Sequence, residues 1–279
     1  IGASVVQEAL GTIDNTPLSR WAIDYVYDNH VAVIASAADE NSFHHNFPGT
    51  NNHTIYVHAI RYNADSLGDA THAFAFDNCT NYGAQLLLSV PGTSCSSEAT
   101  GRGSGMAGLL YSAALAADLP APARLHPAAA GDTAPAGDSG PAATRVRRLT
   151  AEEVRQIMLG TADSFYDASE DANTGAYPTG PGFVRRFGYG RVNARSAVDN
   201  ILTGAIPPEV DIERPDWFQV LSNREGVVPI EGRIAIRGGA GGDTYDFEVA
   251  WAPGVDPRDD RYTRIGHGEM QSRALEGKL

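Results

Sequence analysis

Two serines, Ser94 and Ser97, stand between a short apolar run, Gln85 to Val90, and a stretch dominated by small residues, Ala99 to Ala117. A serine hydroxyl is a poor nucleophile until a neighbouring base takes its proton. At a helix N-terminus it gains something further, because free backbone N–H groups and the positive helix end favour negative charge there. Position alone gives Ser97 only a capping role, the commonest work of serine at a helix start. Acyl-transfer chemistry would also need a histidine base, an acid to orient it and donors for the oxyanion.

Other residue groups invite chemistry and fail on context. His44, His45 and His53 follow Asp39 and Glu40, but their spacing matches no helical metal-ligand pattern such as H-E-x-x-H. They read as a solvated loop, and no metal site is assigned. Gly103, Gly105 and Gly108 spell G-x-G-x-x-G, the dinucleotide fingerprint by letter. They fall inside the small-residue helix instead of at its opening turn, so nucleotide binding ranks a distant third among the functions considered. Helical glycines here point to close packing through the middle of a domain. Asp256, Asp259 and Asp260 read as a solvated turn. Structural calcium there is the one cofactor left open, and none is assigned.

The elements that must position these residues follow from periodicity. Thr16-Pro17 reads as a helix start with a capping hydroxyl and proline at the first helical position. Leu18, Trp21, Ala22, Tyr25 and Val26 continue it at helical spacing, and His30 ends it. Val31 to Ala38, Thr54 to Ile60 and Gln85 to Val90 are short apolar runs of the kind found in buried parallel strands. Ala99 to Ala117 reads as a buried helix. Strands and helices in this order predict an α/β fold, a parallel sheet with helices on both faces in three layers. Residues 118–148 are rich in Ala, Pro and Gly without periodicity and read as a flexible insertion. Thr150 and Glu153 form a capping box that opens a helix, and Asn193 caps another. After Gly204 the character changes. Pro207, Pro208 and Pro215 mark a linker, and Tyr245, Phe247, Val249 and Trp251 share one face of a strand. Residues 1–204 are therefore assigned to the α/β unit and 205–279 to the start of a β-sandwich domain.

Composition sets the limits. The chain is 42% hydrophobic and 20% charged, as a folded domain is and a disordered one is not. Its formal charge of -13 argues against nucleic acid as a partner, since binding it needs basic patches. No apolar run approaches the about 20 residues of a membrane span. The chain starts at Ile1 with no signal peptide visible, and we read that start as a truncation. Cys79 and Cys95 flank the run Gln85 to Val90. A disulfide between them would suit an exported protein, two buried thiols are the other reading, and spacing cannot decide.

Four segments, in order, resemble the subtilisin-like serine peptidases. IGASVVQEALG with VAVIASAADEN resembles the family's strand, helix and "AAAGN" strand end. NFPGTNNHTIYVHAI resembles the "YPG…VIAVGAV" segment. LLLSVPGTSCSSEATGRGSGMAGLLYSAAL resembles the "APG" turn with the nucleophile helix. LTAEEVRQIMLGTA with FGYGRVNARSAV is similar to the last two helices and is the most specific of the four. Together they cover about Ile1 to Leu202.

The resemblance implies a serine endopeptidase acting on peptide or protein substrates, exported to the periplasm or outside the cell. Its catalytic Asp and His would lie upstream, in a missing N-terminal part of the same domain, so the chain alone is expected to be inactive. The family's Gly-Thr-Ser signature can be placed on Ser94, where Gly92-Thr93-Ser94 spells it, or on Ser97. We prefer Ser97, because Ala99, Thr100, Ser104 and Gly105 then fall on the family's small positions and Leu109 starts the apolar stripe. The proline after the nucleophile is then Gly101 and the histidine Arg102. Asp39 falls where the family places its oxyanion-hole Asn. A neutral donor suits that task, and losing one costs about 10²–10³ in rate. These departures keep a second reading in play, a catalytically dead scaffold used for binding or assembly.

Overall fold

The structure is a computed structural model. It describes residues 2–44, 46–62, 74–76, 80–92, 94–120, 149–164, 182–216, 219–222, 224, 226–238, 243–254, 257 and 261–279. Its elements are β1 (Val5–Glu8), α1 (Pro17–Asp28), β2 (Ala32–Ser36), β3 (Thr54–Tyr62), β4 (Phe74–Phe76), β5 (Leu88–Pro91), α2 (Ser96–Ala116), α3 (Ala151–Gly160) and α4 (Ala194–Thr203). Then come β6 (Glu209–Arg214), β7 (Glu231–Ala235), β8 (Tyr245–Trp251), β9 (Thr263–Gln271) and β10 (Leu275–Lys278).

The expected α/β architecture is present. β1, β2, β3 and β5 form a parallel sheet in spatial order, with β4 antiparallel on β3. Every residue of β2 is buried, so both faces of the sheet are covered, which is why its sequence runs apolar without alternating. Ile34, Val57, Leu88 and Val90 join Met106 and Leu110 of α2, Val154 and Ile157 of α3, and Ala197 and Ile201 of α4 in one core. Burying a side chain such as Leu110 contributes about 1.5–3 kcal/mol.

α2 approaches the sheet through Gly103, where an added Cβ would sit 3.3 Å from Ile34. At Gly105 and Gly108 a Cβ would meet nothing, so only one of the three glycines is required by packing. The buried stripe is Ala99, Gly103, Met106, Ala107, Leu110 and Ala114, whereas Leu109 is half exposed. The segment FGYGRVN threads along β5. Gly188, at φ +64, would drive a Cβ to 2.2 Å from the Leu87 carbonyl oxygen, and Ser89 N–H donates to Gly190 O at 2.8 Å.

The predicted caps form. Thr16 accepts from Ser19 N, Thr150 and Glu153 make the reciprocal capping box, and Asn193 accepts from Ser196 N. The strand predicted over Gln85 to Val90 begins later, at Leu88, because Gln85 lies in a turn. Past Gly204 there is a three-stranded antiparallel sheet, in order β10-β7-β6, and a separate β8–β9 pair. On β8, Tyr245 is buried, Phe247 and Val249 are half-buried and Trp251 is 56% exposed, so the alternation does not end in a closed core. Most of the predicted insertion, residues 121–148, lies outside the described residues, as do Asp256, Asp259 and Asp260.

Candidate functional site at the carboxyl ends of the strands

Ligands of open parallel sheets bind outside the carboxyl ends of the strands. Here that edge gathers three short segments. β1 leads to Ala9 and Leu10, β2 leads through Ser36 to Asp39, and β5 leads through Gly92 to the first turn of α2. Leu10 is 76% exposed beside this edge.

Ser96, the first helical residue of α2, is buried. Its hydroxyl lies 2.6 Å from Ser36 Oγ and donates to Asp39 Oδ1. The same Asp39 oxygen accepts from Ser96 N at 2.8 Å. Cys95, at the N-cap, makes no side-chain cap bond, so an acid from the end of β2 caps the helix in its place. Ser97 is exposed one residue further on, and its hydroxyl donates to Ala9 O at 3.2 Å. Ser94 is exposed in the loop before the helix, and Thr93 lies outside the described residues. Among the described residues, no histidine takes part in the contacts of Ser96 or Ser97.

The loop that carries Asp39 is held by a side chain the sequence did not single out. Asn81 is fully buried. Its Oδ1 accepts from Glu40 N and Ser42 N, both at 3.1 Å, and its backbone N–H donates to Ala38 O at 3.0 Å. Ala38 is bent into the left-handed region at φ 63, a conformation costly for a residue with a Cβ. Ser36 was also missed, although a lone hydroxyl within the apolar run VAVIASAA was a usable signal. At Gly101 an added Cβ would come only to ordinary contact with Gln7 at 3.6 Å. Arg102 pairs with Glu98 one turn back and donates to Pro91 O at 3.0 Å.

A serine–histidine pair does occur elsewhere, away from this edge. His58 Nε2 is 2.7 Å from Ser89 Oγ, which itself donates to Phe187 O at 2.9 Å. With the serine proton committed to a carbonyl, the imidazole must be the donor to Oγ. Burial pushes His58 down to about 3, so the ring is neutral. Both residues are 0% exposed, and the pair fastens the FGYGRVN segment to the sheet instead of meeting substrate.

The predicted histidine loop is dispersed. His53 pairs with Asp24 and Asp211, His44 donates its backbone N–H to Tyr82 O, and His45 lies outside the described residues. No group of three His, Cys, Asp or Glu that could hold a metal occurs among the described residues. Cys95 is disulfide-bonded. The sequence has one other cysteine, Cys79, which lies outside the described residues. No helix among the described residues is long and apolar enough to cross a membrane.

No protein-family model and no curated protein matches the sequence. Among solved structures, the chain is similar to the prenylagaramide maturation protease PagA, at 15% identity and TM-score 0.46, over 72% of this chain and 62% of that one. It is also similar to the self-cleaved protease domain of PatA, at 18% identity and TM-score 0.47, over 73% of this chain and 63% of that one. The chain spans less than two thirds of either structure.

Proposed function

We propose that this chain is the nucleophile-bearing part of a subtilisin-like serine endopeptidase, with Ser97 as nucleophile and with the catalytic His and Asp supplied by polypeptide outside it. The observation that carries the reading is the convergence of three strand ends on the N-terminus of α2, with an exposed Ser97 hydroxyl at its second residue. The backbone N–H of Ser97 would be one oxyanion donor, helped by the positive helix end. The half-buried Ala9 and the exposed Leu10, at the end of β1, would offer an extended edge to a peptide. The natural setting would be outside the cytoplasm, where a disulfide at Cys95 persists.

Serine without a base is a weak nucleophile, so the chain by itself is assigned no turnover. The test uses quenched fluorescent peptides with the isolated chain and with the intact natural protein. The reading expects no hydrolysis by the chain, and hydrolysis by the intact protein that Ser97→Ala abolishes. Turnover by the isolated chain that Ser97→Ala removes would overturn the need for outside residues.

The dead-scaffold reading has one specific observation in its favour, the contact of Asp39 with Ser96. It withdraws the first N–H of α2 from any oxyanion and puts an acidic oxygen at the helix end where negative charge would develop. Asp39→Asn in the intact protein separates the readings. Hydrolysis rising by about 10-fold or more belongs to a hindered peptidase, and none in either form belongs to the scaffold.

A further inference from the structure

The segment after Gly204 places Ile206 in the core of the α/β unit, and its strands then meet that unit through charged side chains. β6 turns Glu209 and Asp211 inward, 3% and 4% exposed, while Val210 and Ile212 on its other face remain 41% and 45% exposed. Asp211 Oδ2 lies 3.3 Å from His53 Nε2, and Asp24 Oδ1 lies 2.7 Å from His53 Nδ1. The imidazole stacks on Tyr27 with centroids 4.0 Å apart, and the Tyr27 hydroxyl donates to Glu152 at 3.0 Å. Two residues along β6, Glu209 receives the Thr150 hydroxyl and pairs with Arg233, while Glu153 pairs with Arg237. Asp211 Oδ1, Arg155 Nε and Arg233 Nε are buried with no hydrogen-bond partner among the described residues.

Buried ion pairs barely offset the cost of drying their charges, and each orphaned polar atom adds to that cost. An interface built this way is held by its protonation state more than by its area. We propose that the sheet of β6, β7 and β10 is a detachable flap, closed on the α/β unit by the Asp24–His53–Asp211 clasp and the Glu209 cluster, and released as those groups lose their protons.

Burial by itself would lower His53, but the hydrogen bonds and charges of Asp211 and Asp24 outweigh it and raise the ring from 6.5 to about 10. Burial raises Glu209 from 4.5 to about 7, against the pull of Arg233 and with the repulsion of Glu153 and Glu152. The groups facing His53 are Asp24 and Tyr27 from α1, Asp211 from β6, and Glu152 and Arg155 from α3. Both titrating groups hold a proton more tightly when the flap is closed. Closure is therefore complete below the open-state values and is lost as pH rises through the closed-state ones. Glu209 acts between 4.5 and about 7, and His53 between 6.5 and about 10. Within each window opening grows by up to about tenfold per pH unit.

Spin labels at Leu202→Cys on α4 and Val227→Cys before β7, 56% and 72% exposed, report the separation by double electron–electron resonance from about pH 5 to about pH 10. One narrow distance is expected at the acid end, with a longer population growing as pH rises. Glu209→Gln should erase the rise below neutrality. His53→Gln should open the flap at every pH and flatten the upper limb. A single unchanged distance across the range, with circular dichroism retained, overturns the proposal without any variant. So does a rise that neither substitution alters.

Discussion

The N-termini of α2 and α3 face the same physical problem and solve it differently. Each begins with N–H groups that have no partner within the helix. α3 closes its own end. Thr150 and Glu153 satisfy each other's backbone N–H, and Arg237 then seals Glu153, which is 1% exposed. α2 has no local cap at Cys95. Its first N–H is taken by Asp39, 57 residues away, and its second residue presents a hydroxyl to solvent. A helix end closed by its own sequence and buried serves the fold. A helix end left to a distant acid, open between three strand ends, is where a reacting group or a ligand can work.

Breaking the buried end should cost most. Glu153→Ala removes the carboxylate that pairs with the buried Arg237 guanidinium, 3% exposed at its side chain, which also donates to the neutral acceptor Pro120 O. We expect a loss of about 3–5 kcal/mol in urea unfolding. A loss below about 1 kcal/mol would mean that the end is not sealed as described. Asp39→Ala should cost about 1–2 kcal/mol, the worth of a helix cap. Asp39→Asn keeps an acceptor for Ser96 N and should cost less than half of that. Equal losses in the two variants would remove the capping role. Ser97→Ala should change stability by about 0.5 kcal/mol or less, because the exposed hydroxyl makes one bond to Ala9 O. A large loss would make Ser97 a structural residue and weaken its assignment as nucleophile.

The same contrast explains what could be read from the residues alone. The cap at Thr150 was legible because both of its partners lie within three residues. The parallel strands were legible because double burial removes polar residues from them, and the last two helices because Thr150 and Asn193 cap them locally. The cap at Asp39 was not legible. It depends on β2 and β5 ending side by side, which no local pattern encodes. The roles of Ser96 and Asn81 were hidden for the same reason. The inward face of β6 was not legible either. Its segment read only as a proline-marked linker, and the burial of Glu209 and Asp211 against α3 and His53 depends on contacts far away in the chain.

The assignment of Ser97 can be tested chemically without knowing a substrate. The intact natural protein would be treated with a serine-directed fluorophosphonate and the modified residue identified by peptide mapping. A single adduct on Ser97, absent in Ser97→Ala, is the result predicted here. An adduct on Ser94 or Ser96, or none at all, would contradict it.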